Sequence, residues 1–291
     1  MTRRDDEAGM ILVNVLMFVA IASGMVLLLI SREELALDRG LRMREASRAL
    51  AVARGGELSA LVALRRDAEV APDEDHIGEP WARLSEAGAP IEGGSFDLAI
   101  ADAEGRFNIN ALRSGEAGAL ILFQKIAKDT GMTPEQAVAA AQYVRLRGPV
   151  VDLRPLRLAG LDPQVADRLE RVATALPGTT MINLNAADPE MLRILFDDPL
   201  KAARLVAVRD RQKFLTLKDL TDQDLSMPWG ASFRSGSFWV RTRATIGGTS
   251  QQIATLIQRR RLPDGGIEVV PVERWRNAAV PPGAPALPVK R

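Results

Sequence analysis

The sequence predicts an α+β fold, in which one long N-terminal helix packs on an antiparallel sheet and a block of short helices interrupts that sheet. Residues 10–66 contain an apolar run and then apolar residues at helical spacing, without proline. An alternating, strand-like segment begins at Ser95, and three more follow from Ser237 onward. Helix signals fill the chain between these two regions, so we expect the helices to be an insertion in one sheet.

The first element is an apolar run of 21 residues, 10–30, that contains no charged side chain. At about 1.5 Å of rise per residue the run is roughly 31 Å long, close to the roughly 30 Å hydrocarbon thickness of a bilayer. A cleaved secretory signal peptide is shorter and ends in small residues, whereas SREELALDRG follows here. The run therefore predicts a membrane-spanning helix. Lys and Arg are expected on the cytoplasmic side of a membrane-spanning helix, yet more arginines closely follow this run than precede it. This count conflicts with placing the rest of the chain outside the cytoplasm.

The helix is expected to continue past the membrane as far as Arg66, because apolar residues alternate with Arg and Glu at helical spacing. Gly40, Gly55 and Gly56 are the expected soft points of this helix. An acidic, proline-bearing loop over 70–81 ends it. The loop contains the single histidine of the chain, His76, which we interpret as a solvated residue.

The later elements follow from alternation, caps and turn residues. Helices are expected over 117–131, which ends at a glycine, and from the cap residue Thr133 to Gly148. Asp188, followed by proline and glutamate, is expected to cap a further helix. Glycine-rich turns separate the late segments, which predicts an antiparallel meander. The expected strands are 95–105, 237–248, 249–262 and 266–275. The Pro/Ala-rich tail, 276–291, is predicted to be disordered.

Composition narrows the function classes. The chain has 38 Lys and Arg against 37 Asp and Glu, so it lacks the net basic charge that favours nucleic-acid binding. It contains no cysteine and one histidine, which excludes disulfides and thiolate sites and leaves little room for histidine-based catalysis. No G-x-S-x-G, H-E-x-x-H or P-loop motif is present. We therefore expect neither an enzyme nor a bound cofactor.

Two pairs of polar residues lie at or just after the end of the first predicted strand. Asp102 and Glu104 lie close to Arg106 and could form an acid/base pair, but beside a glycine turn we interpret them as solvated hairpin residues. Asn108 and Asn110 are expected to hydrogen-bond local backbone where the strand passes into a helix.

Four sequence segments resemble one known family. Gly9 precedes the apolar residue Met10 and an uncharged helix, which resembles the type IV prepilin signature, and the fifth residue after that glycine is Asn14. The others are DAEGRFNINAL, INLNAADPEMLRIL, and SGSFWVRTRATIGG followed by LIQRR, which occur in this order. Together they resemble the K-type minor pseudopilins of the type II secretion system, the general secretion pathway protein K family.

This resemblance implies a pilin-like fold with a large inserted helical domain, anchored once in the inner membrane of a Gram-negative bacterium with its C-terminal domain in the periplasm. It implies that prepilin peptidase cuts between Gly9 and Met10 and methylates Met10. It also implies a place at the pseudopilus tip with I-, J- and H-type minor pseudopilins, because Asn14 stands where sister pilins have glutamate. The implied divisions are the leader 1–9, the helix 10–66, pilin-domain parts 67–111 and 236–275, and the insertion 112–235.

Some members of this family bind calcium through an acidic stretch in the helical domain. Here residues 144–158 contain one carboxylate, Asp152, whereas calcium takes six to eight oxygen ligands. The sequence therefore predicts no metal site in that stretch, and Asp222 and Asp224 stay as the alternative carboxylates.

The sequence also offers two alternative functions. INLNAADPEMLRIL also resembles a helix-hairpin-helix module, which would make the chain a membrane-anchored DNA-binding protein. Asp197, Asp198 and Pro199 occupy the turn of that hairpin, where carboxylates would repel phosphate. A membrane-anchored hydrolase with a serine in the segment 235–237 is the second alternative, and a turn is the simpler interpretation of that segment.

Overall fold

The computed structural model of the chain describes residues 3–70, 73–158 and 160–289, with side chains described from residue 13 onward. Its first element is one continuous helix, α1 (Arg3–Val70). The helix passes through Gly40, Gly55 and Gly56 without interruption. The predicted soft points are therefore wrong as breaks, and Gly56 instead lets the helix lie close to the sheet.

The sheet confirms the predicted meander. After a 3₁₀ helix (Pro80–Leu84) come β1 (Glu86–Ile91) and β2 (Gly94–Asp102). The returning strands are β7 (Ser237–Ile246), β8 (Thr249–Arg261) and β9 (Ile267–Arg276). The order is β1-β2-β7-β8-β9 and every neighbouring pair is antiparallel. β2 pairs with β7 along its full length, from Gly94–Ile246 to Asp102–Phe238. The strands before and after the insertion are therefore neighbours in one sheet.

The chain between β2 and β7 is mainly helical, as predicted. Its helices are α2 (Ala117–Thr130), α3 (Pro134–Arg147), α4 (Arg154–Leu158), α5 (Pro163–Val172), α6 (Pro189–Phe196), α7 (Pro199–Gln212) and α8 (Leu217–Thr221). A 3₁₀ helix (Ile109–Ser114) precedes them. Four two-residue strands pair in parallel: β3 (Phe107–Asn108) with β4 (Ala173–Thr174), and β5 (Ile182–Asn183) with β6 (Ala231–Ser232).

The predicted caps are present. Thr133 accepts a hydrogen bond from the backbone N–H of Gln136, whose side chain accepts one from the N–H of Thr133, and these bonds form a capping box at the start of α3. Asp188 accepts from the N–H of Met191 at 2.8 Å and begins α6. Gly131 ends α2 with a φ of +79°, a conformation that glycine adopts without strain.

The inserted helices and the sheet have separate apolar cores. The insertion core extends from Phe107 to Ala231. Its first residue thus lies five residues before 112, where the sequence analysis placed the insertion's start. The sheet core packs Ala60 and Leu64 of α1 against Trp81, Phe238 and strand residues. The insertion and the sheet therefore each bury apolar surface of their own, and this burial is the main favourable contribution to folding.

The described part of the tail contacts the sheet, in contrast to the predicted disorder. Val280 and Ala284 pack against a cluster that contains Trp239 and Leu256. The guanidinium of Arg241 donates a hydrogen bond to the carbonyl of Pro285 at 3.2 Å. The composition of this segment gave no sign of these contacts, because they depend on an aromatic side chain that the sheet presents.

Candidate anchoring and assembly site

The N-terminal part of α1 carries its large apolar side chains in the open. Phe18 and Leu28 have exposed fractions of 68% and 67%, and their neighbours from Val13 to Ile30 are similar. Among the described residues, α1 is the one helix long and apolar enough to cross a membrane. A soluble domain does not leave such a surface uncovered, so lipid or other apolar helices must cover it.

The predicted site residues lie at the start of this helix. Asn14 is exposed on it, between Val13 and Val15, and is the only amide side chain of the apolar run. The backbone of Gly9 and Met10 is helical, and their side chains lie outside the described residues. The roles predicted for these three residues depend on a peptidase and on other subunits, so they stay predictions.

The exposed apolar face continues past the membrane-spanning part. Leu35, Leu37, Leu41 and Met43 are exposed on the next turns of α1. Further along, Leu58 and Val62 line a groove of about 750 Å³, and its far wall is formed by Pro80 and Leu84. We call the surface formed by these exposed residues of α1 the open face.

The opposite side of α1 is fixed to the sheet through small residues. The buried positions recur at helical spacing: Ala49, Ala53, Gly56, Ala60, Leu64 and Ala68. A Cβ atom on Gly56 would lie 2.4 Å from Cζ of Phe96, so only glycine allows this close approach. Buried Glu57 accepts hydrogen bonds from the guanidinium of Arg274 at 2.7 Å and from the hydroxyl of Thr255 at 2.7 Å. We call this side of α1 the packed face.

A buried polar cluster joins α1, the sheet and the insertion. Arg259 of β8 donates to Asp67 of α1 at 3.0 Å, and it also pairs with Asp75 in the loop after α1. Asn183 of the insertion donates to Asp102 at 2.8 Å, and the hydroxyl of Ser235 donates to the same carboxylate at 2.6 Å. The backbone N–H of Ser235 donates to Asp75 at 2.8 Å. We call these six residues the polar junction.

The polar junction corrects the interpretation of Asp102 and Glu104 as solvated turn residues. Glu104 is buried, and both carboxylates accept backbone hydrogen bonds, Asp102 from the N–H of Glu104 and Glu104 from the N–H of Gly236. Burial raises the pKa of Asp102 to about 6, and it raises the pKa values of Glu104 and Asp67 to about 7. The inserted helices cover this end of β2, which the local sequence does not reveal.

Asn108 and Asn110 make the predicted local hydrogen bond and further long-range ones, whereas His76 differs from its predicted solvated setting. Asn108 hydrogen-bonds Asn110 locally, and it also bonds the backbone of Leu176 and Gly178 across the insertion. Asn110 bonds the backbone of Val150 in both directions. His76 is half-buried and stacks on Phe214 with ring centroids 4.8 Å apart. These residues hold the insertion to the first strands rather than facing solvent.

The acidic groups have protein partners. Within the described ranges, one group of three carboxylates is close enough to share a cation: Asp67, Asp75 and Glu79. The guanidinium of Arg259 already lies between the first two, and Glu79 accepts from the indole N–H of Trp81 at 2.9 Å. Asp152 pairs with Arg154, and Asp222 pairs with Lys218. The donor set therefore fits an internal arginine better than a metal ion.

The turn between α6 and α7 is occupied in a way that disfavours a phosphate. Asp198 accepts hydrogen bonds from the backbone N–H groups of Leu200 and Lys201, both at 3.0 Å. These are the amides that a helix-hairpin-helix module would offer to a DNA backbone. Ser235, the hydrolase candidate, is buried and donates to Asp102. Neither alternative function gains a site from the fold.

Sequence comparison identifies relatives over most of the chain. Models of known protein families give no match. Type II secretion system protein K of Pseudomonas aeruginosa is 28% identical, over 92% of this chain and 92% of its own length. The protein of the same name from Klebsiella pneumoniae is 26% identical, over 71% of this chain and 78% of its own length.

Structural comparison gives a neighbour with the same fold. A chain in the crystal structure of the GspK-GspI-GspJ complex from the enterotoxigenic Escherichia coli type 2 secretion system superposes with a TM-score of 0.59. The match covers 82% of this chain and 99% of that chain, at 19% identity. The relatives share one name and match most of the chain, so the chain is similar to type II secretion system protein K over most of its length.

Proposed function

We propose that this chain is a minor pseudopilin that enters the inner membrane through α1 and later leaves it to join a periplasmic fibre of the type II secretion system. The observation that carries this proposal is the open face of α1, which extends from the apolar run into the part of the helix that packs on the sheet. A plain membrane anchor needs only the first part of this surface. The second part has a use if the helix also packs against other helices outside the membrane.

Processing begins this sequence of events. Prepilin peptidase cuts between Gly9 and Met10 and methylates the new N-terminus. The position supports this step, because the uncharged run begins at Met10 and the residues before it include five charged side chains. Removal of residues 1–9 leaves a helix whose first 21 residues are free of charge, which lipid and apolar helices both accommodate.

The partners are the I- and J-type minor pseudopilins, together with the H-type. Support comes from the structural neighbour, whose complex contains I- and J-type chains. The open face offers them exposed apolar side chains up to Met43, and the groove beside Leu58 and Val62 offers a place where a second helix can lie.

Asn14 supports a position at the fibre tip. In sister pilins a glutamate at this position compensates for the N-terminal ammonium of a neighbouring subunit. An uncompensated charge in an apolar bundle is costly, so a chain with an uncharged amide there is suited to a place where no further subunit presents its ammonium. The inserted helices broaden the head and would limit growth beyond this subunit. The role is structural, without catalysis, cofactor or nucleic-acid binding, and the body lies in the periplasm.

Intact-mass measurement of the chain extracted from membranes tests the processing step. We expect loss of residues 1–9 and the mass of one added methyl group. Gly9→Ala should leave the chain unprocessed, because the peptidase needs a small, unhindered residue at the cut, and Gly24→Ala is the matched control within the same helix. A normal mature N-terminus in Gly9→Ala would contradict the leader.

Sedimentation velocity tests the assembly step. The mature full chain in detergent is mixed with purified I- and J-type subunits at about 10 to 50 μM, a range that detects micromolar affinity. We expect one complex that contains all three chains. Separate boundaries for each chain would count against assembly at the tip, and the outcome is independent of the processing test because mature chains are used.

A further inference from the structure

A cavity of about 640 Å³ opens where the sheet meets the inserted helices. Its walls come from the end of β8, the segment that leads into β7, and residues 177–181 before β5. A volume of this size lies within the roughly 300 to 1,000 Å³ that ligand sites occupy. The cavity also touches Ala68, near the end of α1 that is farthest from the membrane. We call it the arginine cavity because Arg234, Arg260 and Arg261 line its exposed part.

None of these three arginines forms an ion pair among the described residues, although Glu268 lies opposite Arg260 in the β8–β9 ladder. Within the part of the chain that the structure describes, no carboxylate lies within 4.0 Å of the guanidinium of Arg234, Arg260 or Arg261. This local excess of positive charge contrasts with the whole chain, in which 38 Lys and Arg nearly balance 37 Asp and Glu. Glu104 is the one carboxylate among the described lining residues, and it is buried and hydrogen-bonded to the N–H of Gly236. The accessible part of the cavity is therefore positive.

Arg260 is held in place before any ligand arrives. Its Nε donates to Oε1 of Gln258 at 3.2 Å, and Nε2 of Gln258 donates in turn to the carbonyl of Pro177 at 3.1 Å. A side chain fixed in this way loses less rotamer entropy when it binds an anion. The planar guanidinium donates two parallel hydrogen bonds to a carboxylate, a geometry that a lysine ammonium does not provide.

An unsatisfied hydroxyl lies in the wall of the same cavity. Oγ1 of Thr180 is buried and has no hydrogen-bond partner among the described residues. Buried hydroxyls normally have a partner, because desolvation without a hydrogen bond is unfavourable. Because this oxygen is closed off from the cavity, a ligand reaches it only if the segment 177–181 shifts.

The position and lining favour a peptide over a lipid or a nucleotide. Ala68 lies 38 residues after Ile30, so the cavity is about 57 Å from the apolar run along the helix axis. This distance exceeds the reach of a lipid headgroup. The described lining residues include no aromatic ring on which a base could stack. Met181 and Ile267 instead add apolar surface beside the arginines, which suits aliphatic side chains next to carboxylates.

We propose that the arginine cavity binds an acidic segment of a partner protein, with side-chain carboxylates on Arg260 and Arg261 and an adjacent apolar residue against Met181. This interaction goes beyond fibre assembly, which uses α1. The site faces away from the membrane, so it is open to a periplasmic protein while the chain is still anchored.

Fluorescence anisotropy with the full chain in detergent tests this inference. The probe is a labelled hexapeptide of four Asp or Glu and two Leu, and the control peptide has Asn and Gln in place of the acids. We expect the acidic peptide to bind at least about tenfold more tightly than the control peptide, because only carboxylates form charge-assisted hydrogen bonds with arginine. Inorganic phosphate, added as a competitor, distinguishes a peptide site from a site for any small anion.

Matched variants locate the binding. The double variant Arg260→Gln and Arg261→Gln should weaken binding of the acidic peptide about tenfold or more. The control is Arg204→Gln with Arg211→Gln on α7, which removes the same charge from exposed arginines elsewhere. Equal losses in both double variants, or no binding up to about 1 mM peptide, would overturn the proposal. Displacement by phosphate at the same concentration as by peptide would also overturn it. None of these outcomes depends on processing or assembly.

Discussion

The open face and the packed face of α1 are built from different residues, although they belong to one helix. The open face uses large aliphatic side chains and is uncovered along its length, whereas the packed face uses alanine and glycine and is covered by the sheet. Small residues allow a close and fixed fit to one partner. Large exposed side chains suit partners that are exchanged, as when lipid is replaced by neighbouring subunits. The comparison therefore separates what makes the chain fold from what makes it assemble.

The strongest test removes the ion pairs that tie the end of the packed face to the sheet. In Arg259→Met, the carboxylates of Asp67 and Asp75 lose the cation between them. Truncation of one partner in a buried pair costs about 3 to 5 kcal/mol, so we expect the free energy of unfolding to fall by this amount. Urea unfolding of the full chain in detergent, followed by tryptophan fluorescence, measures the change. Arg234→Met removes an exposed arginine nearby, and an equal loss in that variant would contradict the assignment.

The next test compares two leucines of α1 that differ only in the face they occupy. Leu64 is fully buried against the sheet, whereas the exposed fraction of Leu58 is 59%. Leu64→Ala should lower the free energy of unfolding by about 2 to 5 kcal/mol, because it leaves a cavity in the sheet core. Leu58→Ala should change it by less than about 0.5 kcal/mol.

The same pair of leucines also separates folding from assembly. Sedimentation with I- and J-type subunits should show weaker complex formation for Leu58→Ala, since Leu58 lines the open groove. If Leu58→Ala destabilised the fold and left assembly unchanged, the division between the two faces would be wrong.

Adjacent glycines provide a finer test. Gly55 has no atom within 4 Å of the place where a Cβ would lie, whereas a Cβ on Gly56 would meet Phe96. Gly55→Ala should raise the free energy of unfolding by up to about 1 kcal/mol, because alanine favours the helix. Gly56→Ala should lower it by about 1 to 3 kcal/mol through overpacking. Thermal unfolding followed by circular dichroism measures both changes, and shifts of the same sign would contradict the close packing at Gly56.

The parts of this fold that the sequence predicts are those that depend on signals between neighbouring residues. Periodicity, caps and turns lie within a few residues of one another, so α1, the caps at Thr133 and Asp188, and the three late strands are all predicted correctly. The general fold class and the family also follow from motifs that are contiguous in the chain. The elements themselves are thus visible in the sequence before any packing is known.

The polar junction could not be predicted in this way. Arg259 and Asp75 are 184 residues apart, and Asn183 reaches Asp102 across 81 residues. An acidic residue beside a glycine turn is normally solvated, and the insertion residues Asn183 and Ser235 make Asp102 a partly buried, hydrogen-bonded group. Gly9, Met10 and Asn14 are a different case, because their predicted roles involve a peptidase and other subunits rather than the fold of this chain.

A final expected effect is a dependence of stability on pH, which should come from the packed side and not from the open face. Burial raises the pKa of Asp102 to about 6 and those of Glu104 and Asp67 to about 7 in the folded chain, from 3.8 for the aspartates and 4.5 for the glutamate when unfolded. Between about pH 4 and pH 7 the folded state therefore holds protons that the unfolded state has released. The free energy of unfolding must fall as the pH rises through this window.

The stabilisation from these groups is complete below about pH 4 and is lost above about pH 7, so we expect a higher melting temperature at pH 5 than at pH 8. Asp102→Asn keeps the shape of the side chain and removes its proton exchange, so the difference between the two pH values should shrink. Asp210→Asn, on the exposed surface of α7, is the control and should leave the difference unchanged. A melting temperature that rises from pH 5 to pH 8 would contradict the raised pKa values of these three carboxylates.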